Sequence, residues 1–286
     1  MSDLKYYFQK ARSEGWALGA FNVSNLETLK AVVTAAKKLK APILIEASGG
    51  ELKFIGTKSL RNMADNLAAE ARVPVFLNVD HGKEEWQIKE GLINNFDLIH
   101  FDGSVLPYEV NLKKAWQVSY AAHRQNILVE GEIDHIEGSS ALHQGKIKDN
   151  RIKINYTDPK KAQEFCQETN VDLLAVSVGN IHGVFSKQKE KLDLPLLKNV
   201  KNSVKCFLSL HGGSGIKRED LKKAIKNGIV KINVNTDLRL AYRRALEREL
   251  KKNQAAAIYE YMPPVIEAVQ KVVEEKIKLF GSNNKV

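Results

Sequence analysis

Val73-Pro74-Val75-Phe76-Leu77-Asn78-Val79-Asp80-His81-Gly82 (VPVFLNVDHG) reads as a buried strand that closes on an acid, an imidazole and a glycine. Such an end packs poorly and suits chemistry. The same unit recurs in both directions. Upstream, Trp16 to Phe21 and Pro42 to Ala47 are apolar runs of strand length. Downstream come Leu98 to Asp102, Ile127 to Ile133, Leu173 to Val178, Cys206 to Leu210 and Ile229 to Val234. The segments between them carry apolar residues at helical spacing. Leu26, Leu29, Val32, Val33 and Ala36 form one such face, and Asn25 is placed to cap it. Further helices are expected over 3–13, 59–71, 84–94, 109–125, 159–169 and 219–227, with closing helices over 237–252 and 263–280. Ser48-Gly49-Gly50 reads as a turn. A polar loop of about 20 residues follows the fifth strand, long enough to suggest function.

Eight strands alternating with helices at roughly 30-residue spacing indicate a parallel α/β protein. The count favours a closed (β/α)8 TIM barrel, a single domain over residues 1–286 that ends in the C-terminal helices. An open doubly wound sheet is the alternative. No GxGxxG follows the first strand, which counts against its dinucleotide-binding form.

Composition excludes several classes. No apolar run approaches the roughly 20 residues that span a bilayer. The first 15 residues lack the apolar core of a signal peptide. Cys166 and Cys206 form no CxxC pattern, so reduced thiols and a cytoplasmic location are expected. The formal charge of +10 comes with lysine clusters that read first as solvated helix faces. A basic field also draws in anionic metabolites. No aromatic-basic interleaving points to nucleic acid.

Polar residues gather just past the strands: Asn22, Ser48, Asp80, His81, Asp102, Glu132, His182, His211 and Asn233. In a barrel of this kind the active site lies at the carboxyl ends of the strands. Loops are polar in any case, yet three of the seven histidines fall in this narrow set. Singly, each reads as a hydrogen-bonded loop residue. Together, His81, His182 and His211 are the donors of a catalytic zinc site with an open coordination position. Gly82, Gly183 and Gly212-Gly213 adjoin them and let backbone N–H groups approach an anion.

The chain resembles the class II, metal-dependent ketose-bisphosphate aldolases of the fructose- and tagatose-1,6-bisphosphate type. The resemblance rests on FNVSNLET at 21–28, VDHG at 79–82, DGSVLPYEVN at 102–111, VEGEI at 129–133 and GNIHGVF at 179–185. It continues through LHGGSGI at 210–216, KINVNTDL at 231–238 and FGSNN at 280–284. It implies that His81, His182 and His211 hold zinc, a Lewis acid for the ketose carbonyl. It implies that Asp80 moves the C4 hydroxyl proton. Asp102 and Glu132 would ligate a second divalent or monovalent cation. Read without the resemblance, Asp102 could open a turn with Gly103-Ser104, and Glu132 could pair with a buried lysine.

Gly183, Gly212, Gly213, Ser214, Asn233, Val234, Asn235 and Thr236 match the family's triose-phosphate site, and Ser48 is a further substrate contact. Glycine turns and hydroxyls at neighbouring strand ends also make an anion cradle on physical grounds. The implied reaction cleaves a ketose phosphate, by default fructose 1,6-bisphosphate, to dihydroxyacetone phosphate and an aldehyde. A homodimer or homotetramer is implied too.

Four departures from the family pattern stand out. The loop after the fifth strand, Ile136 to His143, lacks the family's acidic pair; Glu137, His135 or His143 could replace it as the C3 proton acceptor, or be plain surface polarity. Ile266 stands where relatives carry an arginine for the distal phosphate, and Arg239, Arg243 and Arg244 are the candidates to compensate. Ser186 replaces a common lysine, with Lys187 beside it. Asn78 and His100 put unexpected polar groups on the inward face.

Lys231 also faces inward and is the one candidate for a Schiff-base lysine, but it is expected to pair with Glu130 or Glu132. The rival functions are an aldolase for another ketose phosphate (tagatose 1,6-bisphosphate or a ketose 1-phosphate), a metal- and triose-phosphate-binding protein with little lyase turnover, and a hydrolase using the same metal triad.

Overall fold

A computed structural model describes residues 3–147, 152–186, 190–252 and 254–286. Lys187 lies outside the described residues. The first half of the chain alternates as expected. Helix α1 (Leu4–Glu14) precedes β1 (Leu18–Asn22), then α2 (Leu26–Leu39), β2 (Ile43–Ser48), α3 (Gly49–Ile55), α4 (Thr57–Ala71), β3 (Val75–Gly82) and α5 (Glu85–Ile93). Next come β4 (Leu98–Asp102), α6 (Tyr108–His123), β5 (Leu128–Glu132), β6 (Gly138–His143), α7 (Pro159–Thr169), β7 (Leu173–Ala175) and β8 (His182–Phe185). The chain finishes through α8 (Leu194–Ser203), β9 (Phe207–Leu210), α9 (Arg218–Lys226), β10 (Ile229–Val234), α10 (Thr236–Lys252), α11 (Ile258–Tyr261) and α12 (Pro263–Phe280).

Eight parallel strands close into a barrel in the order β1-β10-β9-β7-β5-β4-β3-β2. The open-sheet alternative is therefore excluded. Local chemistry explains the helix starts. Asn25 accepts the Thr28 N–H while the Thr28 hydroxyl sits on the Asn25 N–H, a closed cap for α2. Asp3, Asp158 and Asp193 cap α1, α7 and α8 in the same sense.

Alternation along the strands makes two cores. Outward residues such as Ile43, Ile45, Leu77, Val79, Ile99, Val129, Leu208 and Ile232 pack under the helices. Inward residues Leu18, Leu44, Phe76, Leu98, Leu128, Leu173 and Phe207 form a separate floor, plugged by Tyr7 and Phe8 of α1. Above that floor the inward positions turn polar. Glu46, Asn78, His100, Glu130, Ser209 and Lys231 are fully buried inside the barrel.

Four local expectations are corrected. The Ser48-Gly49-Gly50 turn is the start of α3, because Glu51 reaches back to the Ser48 N–H and hydroxyl, both within 2.9 Å. Helix α8, not foreseen, starts at an Asp193-Leu194-Pro195 signal. The polar loop after β5 is partly a strand: β6 pairs in parallel with β8 as a separate two-stranded ribbon. The sixth barrel strand is also shorter than expected, since Ser177 leaves the barrel: its carbonyl accepts from the Thr157 N–H and its N–H donates to the Thr157 hydroxyl, both at 2.9 Å. Cys166 and Cys206 are free thiols whose sulfurs face each other at 2.7 Å.

Candidate active site

Strand β3 carries the site's first device. A regular strand would point Asp80 and His81 to opposite faces. Between Val79 and Gly82 the pairing to β4 shifts register, and His81 takes a left-handed φ of 47°. This irregularity turns both side chains toward the barrel mouth, as bulges do near active sites. Gly82 is required there, because a Cβ would strike the His100 carbonyl and Ile88.

His81, His182 and His211 converge. His81 Nε2 lies 3.2 Å from His182 Nε2 and 3.1 Å from His211 Nδ1. The far nitrogen of each ring faces an acceptor. His81 Nδ1 is 2.8 Å from Asp102 Oδ2, His211 Nε2 is 2.9 Å from Glu130 Oε1, and His182 Nδ1 is 3.0 Å from the Ile136 carbonyl. Carboxylates and carbonyls only accept, so each far nitrogen carries the proton and each near nitrogen turns its lone pair inward. His81 Nε2 faces a nitrogen lone pair on either side, and facing lone pairs repel unless a positive charge sits between them. Burial pushes the His182 pKa down to about 3, helped by His81 and His211, so this ring is neutral. Burial would also lower His81, yet Asp80 and Asp102 outweigh it and raise its pKa, which marks a place that favours positive charge. The donor set fits a divalent cation backed by oriented partners.

Asp80 sits beside this cluster. Asn22 Nδ2 donates to its Oδ2 at 2.9 Å and Asn233 Nδ2 to its Oδ1 at 3.2 Å. Burial pushes the carboxyl up, but His81, His100, His211 and Lys231 outweigh it and hold it well below its ordinary value. Asp80 is therefore ionised. Asp102 and Glu132 reach His81 from behind, and the three offer ligand atoms within 4.8 Å of one another. Asp102 does accept from the Ser104 hydroxyl, as the turn reading expects. Among the described residues Glu132 pairs with no lysine; its Oε2 lies 3.2 Å from His100 Nε2.

A small open pocket, about 30 Å³ in volume, lies over the cluster. Asp80, His81, His182, Gly183, His211, Gly212, Ser214, Asn233, Asn235 and Thr236 all line it. Gly183, at φ 104°, holds a backbone that a side chain would not tolerate. Thr236 opens α10, whose N-terminal N–H groups favour an anion. Three foreseen contacts lie elsewhere. Ser48 is committed to Glu51, the Gly213 N–H is bonded to the Asn233 carbonyl at 3.0 Å, and Val234 is buried under the helices.

Sequence reasoning missed Ser140 and Glu51. Ser140 lines the cavity because the β6–β8 ribbon folds the loop over the mouth; no local signal announces that pairing. Glu51 bonds Asn22 at 3.0 Å, and its Ser48-x-x-Glu51 spacing is a readable cap signature. None of Glu137, His135 and His143 lines the cavity. His143 stacks on Phe185 and bonds the Ser139 carbonyl. Of the arginines, Arg239 reaches the mouth, bridging Glu51 and the Ser140 carbonyl; Arg243 pairs with Glu247. Ile266 packs against the helix-side core. Lys231 is held at 2.8 Å by both Glu46 and Glu130. Those carboxylates outweigh its burial and raise its pKa, so it is no amine nucleophile.

A closed parallel barrel with an imidazole cluster and an ionised acid at the carboxyl ends of its strands defines a metal-dependent barrel enzyme. The class-II fructose-bisphosphate aldolase family matches residues 2–285, and the chain belongs to that family of metal-dependent lyases. The fructose-bisphosphate aldolase of Thermus caldophilus is 35% identical over 96% of both chains. That of Streptococcus pneumoniae is 37% identical over 98% of this chain and 97% of its own. The crystal structure of the YdjI aldolase from Escherichia coli K12 superposes with a TM-score of 0.82 at 31% identity, covering 99% of this chain and 98% of that one.

Proposed function

We propose that the protein cleaves fructose 1,6-bisphosphate to dihydroxyacetone phosphate and glyceraldehyde 3-phosphate, with zinc held by His81, His182 and His211. The observation that carries this is His81 Nε2, which faces His182 Nε2 at 3.2 Å and His211 Nδ1 at 3.1 Å beside an ionised Asp80. Bound zinc supplies Lewis acidity toward the ketose carbonyl. The chain supplies the rest. Asp80, aimed by Asn22 and Asn233, takes the C4 hydroxyl proton in cleavage and returns it in condensation. Gly183, Gly212, Ser214, Asn235 and Thr236 cradle the phosphate of the triose half. Arg239, which bridges Glu51 and the Ser140 carbonyl at the mouth, is placed to take the distal phosphate once released from Glu51.

A second cation beside Asp102 and Glu132 belongs to this reading, as do a homodimer or homotetramer and a cytoplasmic location. No described helix is long and apolar enough to cross a membrane. The test is a coupled triose-phosphate assay over ketose mono- and bisphosphates, before and after chelation. Activity should be greatest with fructose 1,6-bisphosphate, vanish with the metal and return with zinc. Activity that survives complete metal removal, or an adduct trapped by borohydride, overturns the reading.

A further inference from the structure

The phosphate cradle is made by two turns that belong to neighbouring strands. Gly212 and Ser214 follow β9, while Asn235 and Thr236 follow β10. One side chain from the last helix joins the two turns behind the pocket. Lys276, on α12, pairs with Asp237 Oδ2 at 2.6 Å and donates to the Gly213 carbonyl at 3.3 Å. Its side chain is 14% exposed and that of Asp237 is 27% exposed, so water screens the pair only in part. Asp237 in turn donates its backbone N–H to the Ser214 hydroxyl at 3.1 Å.

Each contact bears on an anion in the pocket. The Gly213 carbonyl and the Ser214 N–H belong to one peptide unit, so a cation on the carbonyl polarises that N–H. The Ser214 hydroxyl accepts from the Asp237 N–H and keeps its own proton to donate. The Asp237 carboxylate works in the opposite direction. It stands in the first turn of α10, where the N-terminal field of the helix favours it. A phosphate at the same helix end needs that field, and an uncompensated carboxylate one residue past Thr236 repels it. Among the described residues Lys276 is the only cation within 4.0 Å of the Asp237 carboxylate. An acid that only stabilised the helix would need no such partner.

We propose that Lys276 is a positioning residue for the triose-phosphate cradle. It neutralises Asp237 and fixes the Gly213–Ser214 peptide, so the turn after β9 and the start of α10 face one phosphate together. It acts through these groups and touches no substrate. The inference rests on the cradle described under the proposed function.

Calorimetry on the zinc-loaded protein tests it, with dihydroxyacetone phosphate compared against dihydroxyacetone. The wild type should prefer the phosphate ester. Lys276→Met should weaken binding of dihydroxyacetone phosphate about ten-fold and leave dihydroxyacetone unchanged. Its KM for fructose 1,6-bisphosphate should rise more than its kcat falls. Adding Asp237→Asn to Lys276→Met should recover most of the loss, which a lysine with a purely structural role would not allow. Asp237→Asn alone leaves the lysine charge uncompensated and should tighten dihydroxyacetone phosphate, a readout that holds even if Lys276→Met does not fold. Unchanged affinity in Lys276→Met, no recovery in the double variant, or weaker binding in Asp237→Asn overturns the role of Lys276 and leaves the aldolase reading standing. A wild type that binds both ketones alike brings down the cradle as well.

Discussion

The two ends of the same barrel strands use opposite chemistry. Phe76, Leu98, Leu128 and Phe207 fill the floor, where Phe8 of α1 packs at a tilt against Phe207, ring centroids 5.6 Å apart. Two or four residues further along the same inward faces stand Asp80, His100, Asp102, Glu130, Glu132 and His211. Each floor side chain contributes about 1.5–3 kcal/mol by leaving water. Each rim charge costs desolvation that only a well-placed partner offsets. The contrast teaches that one end of the barrel is built to hold the fold and the other to hold charge. Substitutions should therefore separate the two.

The largest effect is expected at the rim. His81→Ala removes the ring that touches both other histidines and Asp102. Aldol cleavage should drop roughly a thousand-fold or more, the several kcal/mol a Lewis acid supplies. Metal content should fall with it, while the thermal midpoint measured by circular dichroism stays near that of the wild-type protein without metal. A variant that keeps both metal and turnover would merge the two ends.

Phe8→Ala probes the floor. It should cost about 3–5 kcal/mol in denaturant unfolding and leave kcat of the folded fraction unchanged. A fall in kcat without loss of stability would show that the floor reaches the chemistry.

Between floor and rim, one lysine serves two buried carboxylates. Lys231 cannot neutralise both Glu46 and Glu130. Burial raises Glu46 from 4.5 to about 7 against the pull of Lys231, while Lys231, His100 and His211 outweigh burial at Glu130 and hold it low. A folded-state pKa above the unfolded one gives stability that is complete below pH 4.5 and lost as pH rises through 7. The loss is on the order of 3 kcal/mol. Glu46→Gln should abolish this dependence, so unfolding curves at pH 5 and pH 8 should diverge for the wild type and agree for the variant. Parallel pH profiles for the two proteins would show that Glu46 is ionised throughout.

Much of this contrast is legible in the chain itself. In VPVFLNVDHG the inward residues Phe76, Asn78 and Asp80 already run from floor to rim, and Leu98, His100 and Asp102 repeat the order. Period-two alternation is a local property of the backbone, so eight strands, their faces and the strand-end histidines follow from residue order alone. The signals for α3 and α8 were also local and readable. Other features depend on pairs far apart in sequence. The register shift that turns His81 beside Asp80 needs β4 as its partner. Ser140 reaches the cavity only because β6 finds β8, some 40 residues away. His100 was visible as an inward polar residue, but its neighbours were not, because Glu132, Asp80 and the His81 N–H meet it only when the barrel closes. The sequence by itself determined which side chains face inward and in what order. Tertiary structure alone decided which of them share a charge, since that depends on distances set by strand register and ring closure.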